Sequence, residues 1–153
     1  MDTNQKTSDH RSINICLVED DLADAKAVRR ALRKDYEANV VVHAMNGHEA
    51  LDILRSATGP LSSRRVVLLD LNLPRMNGIE FLRVLRADQS ISQTVVFVLT
   101  SSDDHRDIGD AFDHFVAGYF VKRGQESYDR VVRTLREYWD CGSLPPLPRS
   151  AVA

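Results

Sequence analysis

Five short apolar runs, each too brief for a helix, alternate with stretches whose apolar residues recur every three or four positions. No other feature of the sequence restricts the fold as tightly. The runs cover 13–18, 39–44, 65–70, 94–100 and 118–121, and the amphipathic stretches begin near Leu22, Gly47, Gly78, Asp103 and Glu126. Two runs, Val66-Val67-Leu68-Leu69 and Val95-Val96-Phe97-Val98-Leu99, are apolar at every position, as strands covered on both faces must be, and belong in the middle of a sheet. Parallel strands need crossover connections, so the pattern predicts an α/β domain with a parallel sheet and helices on both sides. The clearest core-facing stripes are Leu51/Leu54, Ile79/Leu82/Leu85, Ile108/Ala111/Phe112/Phe115 and Val131/Val132/Leu135/Tyr138/Trp139.

A chain of 153 residues, 43% hydrophobic and 27% charged, is large enough for one such core and too small for two. Three segments are expected: a polar, disordered stretch over 1–12, the domain over 13–140, and a Pro-containing tail over 141–153. Gly142 is placed to stop the last helix, and Leu144-Pro145-Pro146-Leu147-Pro148 favours extended backbone. Twenty basic residues against 22 acidic ones leave a net charge of −2, which argues against nucleic acid or an anionic membrane as partner. No apolar run has membrane-spanning length and the N-terminus lacks a signal-like apolar region, so a cytoplasmic location is expected. Cys16 and Cys141 have no paired spacing, and Cys16 reads as a small buried hydrophobe. The basic residues Arg29, Arg30, Arg33 and Lys34 read as the solvated face of the first helix.

In an open parallel sheet the C-terminal ends of the strands meet along one edge, where ligands of such folds bind. The first strand ends in Glu19-Asp20-Asp21, the third in Asp70, the fourth in Thr100-Ser101-Ser102 and the fifth in Lys122. Asp21 is placed to cap the helix starting at Leu22. If Glu19, Asp20 and Asp70 approach within ~4 Å, each like-charge pair costs on the order of 4 kcal/mol at an effective dielectric of 20. A hard divalent cation offsets that repulsion, and Mg²⁺ suits a few carboxylates, a carbonyl and waters. With the charge neutralised, a carboxylate can attack phosphorus, and aspartyl phosphate is the expected product.

Four ordered segments carry a family resemblance: Cys16-Leu17-Val18-Glu19-Asp20-Asp21, Val66 through Leu69 continuing as Asp70-Leu71-Asn72-Leu73-Pro74-Arg75-Met76-Asn77-Gly78, Val98-Leu99-Thr100-Ser101-Ser102, and Gly118-Tyr119-Phe120-Val121-Lys122. Together they resemble the receiver domain of two-component response regulators. The resemblance implies a doubly wound (βα)5, flavodoxin-like fold with strand order 2-1-3-4-5. It implies that Asp70 accepts a phosphoryl group from a histidine kinase. It assigns Glu19, Asp20, Asp70 and the backbone carbonyl of Asn72 to Mg²⁺. Thr100 and Lys122 would contact the phosphoryl group, Tyr119 and Ser101 would belong to the switch, and the surface from the fourth helix through the fifth strand to the fifth helix would read it out.

One position departs from the family pattern: Arg123 follows Lys122 where receivers usually carry Pro, which bears on the geometry of the last loop. The length leaves no room for an output domain, so a stand-alone receiver is expected, acting through a downstream phosphotransfer or effector protein. Val-Glu-Asp, Asp-Leu-Asn-Leu-Pro and a last helix ending in Tyr138-Trp139 resemble the small regulators of bacterial phytochrome histidine kinases. That resemblance implies a phytochrome-type kinase partner and a homodimer, with Phe112, Phe115 and Trp139 as surface residues. On helical spacing alone, Phe112 and Phe115 fit a core stripe equally well, with Trp139 anchoring the tail. Three other readings compete: a phosphorylation-independent scaffold, an aspartate-nucleophile phosphatase, and a flavodoxin-like nucleotide binder. Asn72 stands where the phosphatase needs a second acid, and the acids after the first strand would repel a bound phosphate.

Overall fold

A computed structural model describes residues 11–56, 58–62 and 64–145. Five strands alternate with five helices: β1 (Asn14–Val18), α1 (Leu22–Asp35), β2 (Val40–Ala44), α2 (Gly47–Arg55), β3 (Val66–Leu69), α3 (Gly78–Ala87), β4 (Val95–Thr100), α4 (His105–Asp113), β5 (Gly118–Val121) and α5 (Gln125–Cys141). A 3-10 turn, Pro60–Ser62, leads into β3. All pairings are parallel and the strand order is β2-β1-β3-β4-β5, the doubly wound arrangement expected. The two continuously apolar runs occupy the centre of the sheet and its neighbour.

Because side chains alternate along a strand, each strand feeds two cores. Cys16, Val18, Val67, Leu69, Val96 and Val98 face Leu51 and Leu54 of α2 and Phe81, Leu82 and Leu85 of α3, with Ala111 of α4. Ile15, Leu17, Val66, Leu68, Phe97 and Leu99 face Val28 and Leu32 of α1 and Val131, Val132 and Leu135 of α5. Side-chain caps fix where helices begin: Asp21 Oδ1 accepts from the amides of Ala23 (2.8 Å) and Asp24 (3.1 Å), and Asn46, Asn77 and Asp104 cap α2, α3 and α4. α4 therefore starts at His105, two residues later than its apolar pattern suggests, because Asp104 and not Asp103 holds the cap. Cys16 is buried and the α1 basic face is exposed, as expected.

The stripe of α5 is buried as expected, but the surface reading of Trp139 and the core reading of the α4 stripe need correction. Trp139 is 3% exposed within the α1/α5 core, with the Arg64 guanidinium 4.7 Å from its ring centroid, so it cannot serve as a docking residue. Conversely, Phe112 is 48% and Phe115 78% exposed. α4 ends at Asp113, so Phe115 lies beyond the helix at φ 59° and the helical period no longer governs its direction. The segment expected to be disordered lies outside the described residues up to His10, and the extended tail lies outside them beyond Pro145.

Candidate functional site

Backbone pairing carries the site residues one step past the strands. The amide of Glu19 donates to the Ala44 carbonyl (3.1 Å), that of Asp70 to Val18 (3.0 Å) and that of Lys122 to Thr100 (2.8 Å). Glu19, Asp70 and Lys122 are thus fixed by the sheet before any side chain interacts. At this edge one oxygen from each of Glu19, Asp20 and Asp70 lies within 4.8 Å of the others, the convergence expected from the strand ends.

Asp70 is buried, and both of its oxygens are engaged. Oδ1 accepts from the Thr100 hydroxyl (2.8 Å) and the Asn72 amide (3.0 Å), while Oδ2 accepts from Lys122 Nζ (2.9 Å). Glu19 accepts from the Asp21 amide (3.0 Å) through Oε1 and from Lys122 (2.9 Å) through Oε2. Burial pushes the Glu19 carboxyl up to about 7, against the opposing hydrogen bond from Lys122. For Lys122, burial alone would lower the pKa; hydrogen bonds to Asp24, Glu19 and Asp70 prevail and hold it above the usual lysine range. This amine bonds three carboxylates, Glu19, Asp24 and Asp70, and Asp20 stands beside Glu19 and Asp70 in the cluster at the sheet edge. One ammonium cannot neutralise them, and the all-oxygen donor set of the cluster fits a hard divalent cation.

Other residues named from the sequence sit around this centre. Asn72 is exposed and its side-chain amide donates to Ser101 Oγ (3.2 Å), away from Asp70. The Tyr119 hydroxyl donates to the Ser102 carbonyl (2.8 Å), which ties β5 to the loop after β4. Arg123 is exposed and its backbone amide donates to Ser127 Oγ (3.1 Å). There are no cis peptides among the described residues, and the Lys122 amine reaches three carboxylates without a following proline.

Two residues of this network escape a sequence reading. Asp24, in the first turn of α1, accepts from Lys122 Nζ (2.8 Å), and the Tyr128 hydroxyl donates to its other oxygen (3.0 Å). Burial pushes the Asp24 carboxyl up, but the Lys122 bond outweighs it and the net shift is down. Tyr128 extends the α5 stripe back by one helical step from Val131, the only sequence signal that could have flagged it.

A doubly wound parallel sheet with a buried, lysine-bonded acid and a carboxylate cluster at its C-terminal edge defines a flavodoxin-like domain with an acidic site at that edge. The chain belongs to the response regulator receiver domain family, whose model matches residues 15–132. It is 35% identical over 127 residues to the probable methanogenesis regulatory protein FilR2 of Methanothrix harundinacea, covering 82% of each chain. Response regulator Rcp1 of Synechocystis is 28% identical over 128 residues, covering 82% of this chain and 87% of Rcp1. Among solved structures, the phosphorylated cyanobacterial phytochrome response regulator RcpA matches with a TM-score of 0.75 at 31% identity, covering 88% of this chain and 99% of that one. The Mn²⁺-bound form of Rcp1 matches with a TM-score of 0.72 at 28% identity, covering 87% and 99%. No helix among the described residues is long and apolar enough to cross a membrane.

Proposed function

We propose that the chain is a phosphoacceptor switch: Asp70 takes a phosphoryl group from the phosphohistidine of a kinase, with Mg²⁺ as the resident cation. The observation that carries this reading is the convergence of Thr100 and Lys122 on the two oxygens of Asp70, beside Glu19 and Asp20. Glu19, Asp20, Asp70 and the Asn72 carbonyl would hold the cation, and the Mn²⁺ in Rcp1 supports an acid pocket of this kind. When bound, the cation neutralises charge on the attacking and transferred oxygens.

In the transfer, an Asp70 carboxylate oxygen forms a bond to phosphorus as the P–N bond breaks. The electron pair of that bond stays on the imidazole nitrogen. Lys122 neutralises the oxygens gathered there, and the Thr100 hydroxyl is free to exchange its Asp70 acceptor for a phosphoryl oxygen. Hydrolysis reverses the state: water attacks phosphorus, the O–P bond breaks, and phosphate leaves with the carboxylate restored. The added charge of about −1.5 to −2 is enough to bias a two-state surface. Tyr119 and Ser101, bonded into the loop after β4, would carry the change toward α4, β5 and α5. Likeness to the phytochrome response regulator RcpA favours a phytochrome-type histidine kinase as partner.

Incubation with acetyl phosphate and Mg²⁺ tests this. One acid-stable, base-labile phosphoryl group per chain is expected, absent from Asp70→Asn and absent without a divalent cation. Labelling that survives in Asp70→Asn would remove the assignment of the acceptor, and labelling without cation would remove the role of Glu19 and Asp20.

A further inference from the structure

An ammonium group has three N–H donors, and in Lys122 all three are committed, to Glu19, Asp24 and Asp70. Glu19 and Asp70 belong to the carboxylate cluster at the sheet edge, but Asp24 does not. Asp24 is held from behind by the Tyr128 hydroxyl, which fixes Oδ1 and leaves Oδ2 facing the amine. Tyr128 is only 7% exposed and packs in the α1/α5 core, so the brace is part of the domain and not a surface encounter. The Tyr128–Asp24 bond links the first turns of α1 and α5 directly, and Lys122 bonds the α1 partner of that link.

We propose that Asp24, braced by Tyr128, is a positioning residue that divides Lys122 between the α1 side of the pocket and Asp70; the inference rests on Asp70 being the phosphoacceptor. Each amine proton held by Asp24 is withheld from the oxygens of a phosphoryl group on Asp70. Charge-assisted bonds are the strong ones, so this competition is effective. Loosening it lets Lys122 stabilise the transition state more fully, and gain and loss of the phosphoryl group share that stabilisation.

The test uses the full chain with Mg²⁺ and acetyl phosphate, comparing wild type, Asp24→Asn and Tyr128→Phe. Neither substitution changes the shape of its side chain much, and stoichiometric labelling itself reports a folded site. Asp24→Asn is expected to raise both the maximal labelling rate and the rate of phosphoryl loss about threefold or more, with the half-saturating donor concentration unchanged. Tyr128→Phe, which alters no carboxylate, is expected to move both rates the same way by about twofold. Normal labelling with unchanged rates in both variants would overturn the positioning role and leave the assignment of Asp70 standing. A change in Asp24→Asn alone would assign the effect to lost charge and overturn the braced positioning. An effect confined to the half-saturating concentration would show that Asp24 only repels the anionic donor. Wild-type protein that takes no label would instead overturn the reading of Asp70 itself.

Discussion

Cys16 lies within β1, buried between the sheet and its helices, and burial pushes its thiol from 9.0 up to about 12, against a smaller opposing pull from Arg65. The folded state therefore keeps this proton to higher pH than the unfolded chain does. Below pH 9 both states are protonated and the contribution to stability is constant. Between pH 9 and about 12 the unfolded chain ionises first, so stability falls by on the order of 1 kcal/mol per pH unit. Urea unfolding at pH 8, 10 and 11 should show this decline in wild type and a shallower one in Cys16→Ala. Cys141 is exposed and shares none of this protection. A thiol reagent at pH 8 should modify Cys141 alone in the native protein and both thiols in denaturant. Rapid native modification of Cys16 would contradict its placement in β1.

Helix starts are legible where a single capping side chain stands before the helix, as Asn46 and Asn77 do for α2 and α3; before α4 the adjacent Asp103 and Asp104 offer two, and Asp104 holds the cap. The central site is legible for a similar reason, since parallel strands deliver Glu19, Asp70, Thr100 and Lys122 to one edge whatever the loops do. Asp24 and Tyr128 are not legible, because their bond joins elements 104 residues apart and depends on how α1 and α5 pack. For Phe115 it is the core stripe that fails, not the surface reading: a periodic stripe says nothing about where its helix stops, and the ring is exposed. Gly78 shows how tightly an element end supports the site. A Cβ there would lie 2.6 Å from Leu71 Cα and 2.9 Å from the Asp70 carbonyl oxygen, both backbone atoms, at the base of the loop that carries Asp70. Gly78→Ala should therefore cost about 1–3 kcal/mol in urea unfolding and weaken Mg²⁺ binding in a titration, because the loop carrying Asp70 must move. Gly109, inside α4, has nothing within 4 Å of the same position. Gly109→Ala should stabilise the fold by about 0.5–1 kcal/mol through helix propensity. Equal effects from the two substitutions would refute the close approach at Gly78.

The opposite end of β5 from Lys122 presents two outward aromatic rings, and the molecule holds one of them there against a backbone cost. A bulky residue at the positive φ of Phe115 costs about 1–2 kcal/mol relative to ordinary backbone. Arg86 fixes that turn by donating to the carbonyls of His114 (2.8 Å), Ser92 (2.7 Å), Thr94 (2.8 Å) and Phe115 (3.1 Å). A second copy offering the same patch would bury both rings across a two-fold axis. Two phenylalanines supply about 150–250 Å² each, whereas a standard interface needs about 800 Å² per partner, so self-association through this face should be weak. Light scattering is expected to give a mass rising from one chain toward two between about 10 μM and 1 mM. Phe115→Asn separates the two consequences, because asparagine tolerates the left-handed region but lacks the ring. Its unfolding midpoint should match or exceed that of wild type while its mass stays at one chain throughout. If wild type remains a single chain at every concentration, or if Phe115→Asn associates as well as wild type, this face does not join two copies.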